Sequence, residues 1–265
     1  MAKVCLIIGG TGGLGRACAE LVATKGYTIV VSGRNKVKGG TVVESVKSKG
    51  GEAVFIACDI TSEAEIRNLH KSVVDKYGRI DAAVNSAGVV IGSSAFINMK
   101  LEDFNSTMQI NVTAVFLSMQ EQMRVMLRQD PPGGHIINLT SKFGLHACPW
   151  GANYCASKHA IVGLTKTAAL EVANQNIYVN AIAPGITPTG MVDDLGETAK
   201  NDEAFGKIME KVMDQYPVGR FGTPDQTAKA VAFLLDCDWV TGTVLEVDGG
   251  WGAGKSMPPG MKCTV

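Results

Sequence analysis

From its first residues to about position 250 the chain alternates short apolar runs with amphipathic stretches, and that alternation limits its fold more than any other feature. The runs at 4–8, 28–31, 53–57, 80–84, 136–139, 177–182 and 244–247 are too short for core helices. They are also apolar nearly throughout, as strands buried on both faces must be. Between them, 14–25, 63–77, 101–128, 152–173 and 224–235 carry apolar residues at helical spacing. Strand, helix and strand in repeated succession make crossover units, which pack as a parallel sheet covered by helices on both faces. The expected fold is α/β and doubly wound, with a seven-stranded parallel sheet. Residues 1–251 read as one domain, with an insertion rich in Met, Asp, Glu and Gly at about 186–216 and a Gly/Pro-punctuated, irregular tail at 252–265.

Composition removes several functions. Lys plus Arg and Asp plus Glu each number 25, so the chain has no net basic field for nucleic acid or an anionic membrane. Cysteines 5, 18, 58, 148, 155, 237 and 263 are odd in number and lack C-x-x-C or zinc-type spacing, which fits a reducing, cytoplasmic compartment. The N-terminal apolar run stops at glycines after Ile8, too early for a signal peptide. No stretch reaches the roughly 18 uninterrupted apolar residues of a membrane helix. His70, His135, His146 and His159 have no ligand spacing, so no metal is expected.

Two local patterns carry chemistry. Gly9-Gly10-Thr11-Gly12-Gly13-Leu14-Gly15 joins the first strand to the first helix, where glycines let the backbone turn sharply and approach a pyrophosphate at the helix N-terminus. The second pattern is Tyr154-Cys155-Ala156-Ser157-Lys158. On a helix over 151–174, Tyr154 and Lys158 share one face, so an ammonium can lower the phenol pKa toward neutrality and make it a usable acid or base. Ser141, thirteen residues before Tyr154, ends the fifth apolar run and thus stands at the carboxyl edge of the sheet, where its hydroxyl can donate to a carbonyl oxygen. Cys155 points about 100° away from its neighbour on a helix and reads as packing.

Together these residues resemble the short-chain dehydrogenase/reductase family in its form of roughly 250 residues, over positions 3–251. That family's T-G-x-x-x-G-x-G loop matches Gly9, Gly13 and Gly15, and its N-N-A-G matches Asn85-Ser86-Ala87-Gly88. Its catalytic asparagine, serine, tyrosine and lysine match Asn111, Ser141, Tyr154 and Lys158. Asp59 matches its adenine-holding aspartate, and 179–185 with Thr189 look like its nicotinamide segment. The resemblance implies a Rossmann-type fold and hydride transfer between a nicotinamide and a ketone or secondary alcohol. Tyr154 would move the proton, Ser141 would polarise the carbonyl, Lys158 would tune the tyrosine and bind ribose, and Asn111 would hold a water in a relay to Lys158. It further implies cofactor contacts at Thr11, Gly12, Leu14, Ile60, Asn85, Ala87, Gly88, Pro184, Gly185 and Thr187. A homotetramer or dimer through the helices at 101–128 and 152–173 and the last strand is implied as well. Ile8 and Ser86 depart from the family's usual threonine and asparagine, so a polar tie between the first and fourth strands is expected to be weakened or rerouted.

At the end of the second strand the acidic position that would hold a ribose 2′-hydroxyl is Gly33, followed by Arg34. A guanidinium suits a 2′-phosphate, with Ser32 and Asn35 as further donors, and NADP(H) is the expected cofactor. Phe143, Leu145, His146, Trp150, Met191 and Val192 are expected to shape the substrate pocket, with the 186–216 insertion as its lid. They are mostly apolar, which favours a neutral ketone or a 3-oxoacyl thioester over a sugar phosphate. An NAD-dependent alcohol or polyol dehydrogenase, and a nucleotide-binding regulator without turnover, are the alternatives.

Overall fold

The computed structural model describes residues 2–189 and 203–254. Seven strands, β1 Lys3–Ile8, β2 Tyr27–Gly33, β3 Ala53–Ala57, β4 Ala82–Asn85, β5 Gly134–Leu139, β6 Ile177–Pro184 and β7 Val244–Val247, pair in the order β3-β2-β1-β4-β5-β6-β7. Every pairing is parallel. The chain leaves β1 toward β2 and β3, then crosses back to β4. A crevice therefore opens at the carboxyl ends of β1 and β4, the switch point of a doubly wound sheet.

Successive side chains of a strand point to opposite faces, and β1 supplies both cores. Val4, Leu6 and Ile8 pack with α3 (Glu63–Tyr77), α5 (Ala114–Arg128) and α6 (Ala152–Val172). Cys5 and Ile7 pack with α1 (Gly13–Ala23), α2 (Lys36–Ser48) and the helix Pro224–Leu235. With α4 at Leu101–Met108 and α7 at Glu203–Met213, that last helix is α8. Local chemistry sets several ends. Ser62 caps α3 by accepting from Glu65 N–H, and Gly78 closes it at φ +77°. Pro224 opens α8, where the Gln226 side chain accepts from Thr223 N–H at 2.9 Å.

Three elements differ from the sequence expectation. Helix α2 was not anticipated, because Gly39-Gly40 reads as a breaker. A Cβ at Gly39 would run into the Phe55 ring, so the glycine lets α2 lie on β3. The stretch 101–128 is not one helix; a π turn at Gln109–Thr113 separates α4 from α5. The fourth strand starts at Ala82 rather than Ile80, since Ile80 N–H is taken by the Gln129 side chain and the Asp81 carboxylate holds Arg79 and Val4 N–H. Of the 252–265 tail, Gly252 and Ala253 continue a 3-10 turn begun at Trp251, Gly254 follows it, and 255–265 lie outside the described residues.

Candidate active site

A cleft of about 400 Å³ follows the carboxyl edge of the sheet. Gly9 begins its floor at φ +79°, and a Cβ there would sit 2.5 Å from Ala87 N, so only glycine lets the first loop touch the fourth. Ser86 N–H donates to Ile8 O at 2.9 Å. Backbone thus makes the tie between β1 and β4 that Ile8 and Ser86 left in question. A Cβ at Gly15 would run into Gly9 O, which lets α1 start directly above the loop. The N-cap of α1 is Gly12, without a side-chain cap and with no acidic residue in the first turn. Its leading N–H groups are open to an anion in the cleft, which Thr11, Gly12, Gly13, Leu14 and Gly15 line. Thr189 covers Gly13, since a Cβ there would lie 2.6 Å from its side chain.

Arg34 and Asp59 stand on one wall of the cleft with Lys38, Ile60 and Thr61. Thr61 donates to the Asp59 carboxylate from its N–H at 2.9 Å and its hydroxyl at 2.8 Å, and these bonds, helped by Arg34, hold that carboxyl below its usual pKa. Ala87 and Gly88 form the opposite wall. Ser32 and Asn35 do not line the cleft. The Ser32 hydroxyl is fully buried without a partner while its carbonyl accepts from Gly9 and Gly10, and Asn35 Oδ1 is spent capping α2 at Lys38 N–H. Asn85 lies beneath the cleft, exchanging bonds with Gln122 and donating to Asn138 Oδ1 at 2.8 Å. Pro184 and Gly185 end β6 outside the cleft lining, and Gly185 and Thr187 line a neighbouring cavity of about 230 Å³.

At the other end Ser141, Tyr154 and Lys158 converge. The Ser141 hydroxyl accepts from Phe143 N–H at 3.2 Å and acts on the Tyr154 phenol, which it helps toward ionisation. Burial outweighs that help and raises the Tyr154 pKa, so spacing to Lys158 alone does not produce a phenolate. Lys158 Nζ lies 5.6 Å from the centre of the Tyr154 ring and donates to Leu139 O at 3.0 Å, and burial lowers its pKa to about 8. Thr140 ties β5 to α6 by donating to Lys158 O at 2.8 Å. Asn111, in the π turn, clamps the 86–89 loop. Its Nδ2 donates to Val89 O and to Ser157 Oγ, and its Oδ1 accepts from Val89 N–H at 2.8 Å. Gly88 lies between Asn111 and Lys158, and a Cβ there would stand 3.2 Å from Lys158 Nζ.

Beyond Ser141, Phe143, Leu145 and His146 are half-buried, whereas Trp150 is 67% exposed at φ +62°. Trp251 stands edge-on to Phe143 at 6.0 Å and to His146 at 5.1 Å. Met191 and Val192 lie outside the described residues, as does 190–202 of the insertion. Lys38, Thr61, Trp251 and the close pair Cys148 and Cys155, with sulfurs 3.6 Å apart, were not legible from spacing. Of these only Lys38 carried another signal, its charge close after Arg34 in the chain.

A family model described as enoyl-(acyl carrier protein) reductase matches residues 9–252. The 3-oxoacyl-(acyl-carrier-protein) reductase of Thermotoga maritima is 35% identical over 250 residues, covering 94% of this chain and 97% of that protein. Levodione reductase superposes with a TM-score of 0.88 at 30% identity, over 95% of this chain and 98% of its own. An actinorhodin polyketide ketoreductase with NADPH superposes at 0.87 and 30% identity, over 95% and 97% of the two chains.

Proposed function

The chain belongs to the short-chain dehydrogenase/reductase family, and from that premise we propose that it is an NADP(H)-dependent ketoreductase acting on a neutral, largely apolar ketone or 3-oxoacyl thioester. The carrying observation is the convergence of the Ser141 hydroxyl, the Tyr154 phenol and the Lys158 ammonium at one end of a cleft that begins at the open first turn of α1. NADP(H) fits the other end, where Gly33 stands in place of a carboxylate and Arg34 and Lys38 supply two cations for a 2′-phosphate. When bound, the reduced nicotinamide supplies the hydride.

The chain's own residues do the rest. Ser141 donates to the carbonyl oxygen and stabilises charge as it develops there. Tyr154, kept protonated by burial, gives that oxygen its proton. Lys158 holds the cofactor ribose and returns a proton toward Tyr154. Asn111 has its side chain committed to Val89 and Ser157, so its share in a water relay falls to the backbone of the π turn. Residues 1–251 act as one catalytic domain with 186–216 as the substrate lid. Phe143, Leu145, His146 and Trp251 supply the substrate wall. We place the protein in the cytoplasm as a homotetramer; no described helix is long and apolar enough to cross a membrane.

The test follows NADPH absorbance with an acetoacetyl thioester and a panel of cyclic ketones, with NADH run alongside. NADPH-dependent reduction, lost in a Tyr154→Phe protein that still binds NADPH, is expected. Turnover by Tyr154→Phe near the wild-type rate removes the proposal.

A further inference from the structure

Lys142 directly follows Ser141, yet it is only 3% exposed and takes no part in the proton path. An ammonium leaves water at a high cost unless polar or π-rich groups receive it. No described carboxylate forms an ion pair with Lys142; Asp248 acts on it only through space, and burial lowers its pKa to about 8. Three aromatic rings form its cage instead. Nζ lies 3.9 Å from the centre of the Trp251 ring, 4.6 Å from that of Tyr216 and 4.9 Å from that of Phe143. It also donates to the Tyr216 hydroxyl at 2.7 Å.

That hydroxyl is shared. Ile186 N–H donates to it at 2.9 Å, so one oxygen joins the beginning of the 186–216 segment to its end. Gly185 permits the approach, since a Cβ there would stand 3.0 Å from the Tyr216 ring. Trp251 is anchored in turn, its indole N–H donating to the Gln215 side chain at 3.3 Å. Three parts of the chain far apart in sequence therefore meet at one ammonium, beside the hydroxyl that faces the substrate carbonyl.

We propose that Lys142 is a positioning residue for ketone reduction: through the Tyr216 hydroxyl and the Trp251 ring, its ammonium holds both ends of the 186–216 segment and the C-terminal turn in register with Ser141, and so sets the substrate wall. This rests on the ketoreductase reading. Methionine at 142 would fill the cage without donating, whereas arginine keeps a cation that can donate to Tyr216 and stack on Trp251.

The experiment compares Lys142→Met, Lys142→Arg, Tyr216→Phe and the Lys142→Met/Tyr216→Phe double variant in the full chain, using the panel ketone reduced fastest. NADPH Kd should stay within about twofold, because Lys142 lies outside the cofactor cleft, while kcat/KM for the ketone falls about tenfold in each loss variant, chiefly through KM. The double variant should be no worse than either single, and arginine should restore most of the loss. A folded Lys142→Met protein with wild-type KM overturns the proposal. So does a double variant whose loss is the product of the two singles. Should Lys142→Met fail to fold, Tyr216→Phe with an unchanged KM overturns it alone. Tyr154→Phe separates the two readings. If that variant turns over normally, the ketoreductase assignment fails; if it is inert while Lys142→Met is normal, only the positioning role fails.

Discussion

Arg34 and Lys38, the two cations on one wall of the cleft, are proposed to share one task, and a single substitution should therefore understate it. Arg34→Ala leaves Lys38 beside a 2′-phosphate, so NADPH affinity should fall about tenfold relative to NADH; Arg34→Ala with Lys38→Ala should approach a hundredfold, within the 1.5–3 kcal/mol expected of charge-assisted contacts. Both cofactors must be titrated at one ionic strength, because Arg34 is exposed and screening weakens its contact. Equal losses for NADH and NADPH would mean that neither cation reads the phosphate. Adding Gly33→Asp should turn preference toward NADH, although its Cβ would stand 3.0 Å from the Thr11 hydroxyl and needs that side chain to yield. Lys158 gives a second prediction. Its pKa near 8 means an ammonium below that pH and an amine above it, so NADPH Kd should rise as pH climbs through about 8. Lys158→Met should bind more weakly and show a flat profile there. A wild-type profile retained in that variant would assign the titration to another group. The positions of Tyr154, Lys158 and Ser141 were legible because they follow from helical spacing and a strand end, while the raised pKa of Tyr154 was not, since burial rather than spacing sets it. The surroundings of Ser32, Asn35 and Asn85 were not legible, because spacing does not reveal that the Ser32 hydroxyl is buried without a partner, that Asn35 Oδ1 caps α2, or that the Asn85 side chain is bonded to Gln122 and Asn138.

At the level of elements, the π turn at Gln109–Thr113 was the least legible feature, since neither composition nor periodicity marks the one extra residue per turn. Its consequence is local and strong. Asn111 is fully buried and carries three side-chain hydrogen bonds, two of them to Val89 backbone, so it splices the 86–89 loop onto the helix as another strand residue would. Asn111→Ala leaves the half-buried Val89 N–H and carbonyl without their side-chain partner and should cost about 1–3 kcal/mol in urea unfolding, with NADPH affinity falling too because Ala87 and Gly88 form a cleft wall. Unchanged stability would show that the loop holds itself. Helix α2 was hidden for the opposite reason. Its sequence looks broken at Gly39-Gly40, and only the close approach to Phe55 explains why glycine is there. The seven strands were readable to within about two residues at each end because a central parallel strand needs an apolar run, and little else in the chain supplies one.

Over the whole molecule, the helices proposed to meet in a tetramer carry apolar groups that the monomer core does not use. On α5, Val115, Met119 and Met126 are buried, while Phe116 is 42% exposed and Leu127 also faces out. On α6 the outward stripe is Ala156, His159, Gly163, Thr167 and Leu170, and Leu170 is 88% exposed. Gly163 is the telling position. Apart from its own stretch of helix, no atom of the described residues lies within 4 Å of where its Cβ would be, so nothing among them requires a glycine that costs a mid-helix position about 1 kcal/mol relative to alanine. Close approach by the same helix of another copy is a physical use for that stripe. Gly163→Arg has room in the isolated fold and replaces the smallest point of the stripe with a long cation, and Leu170→Glu should act similarly at the far end. Size-exclusion chromatography with light scattering should find wild type as a tetramer and both variants as smaller species, with circular dichroism unchanged. Variants that remain tetrameric would move the interface away from α6, and a monomeric wild type would remove the assembly altogether.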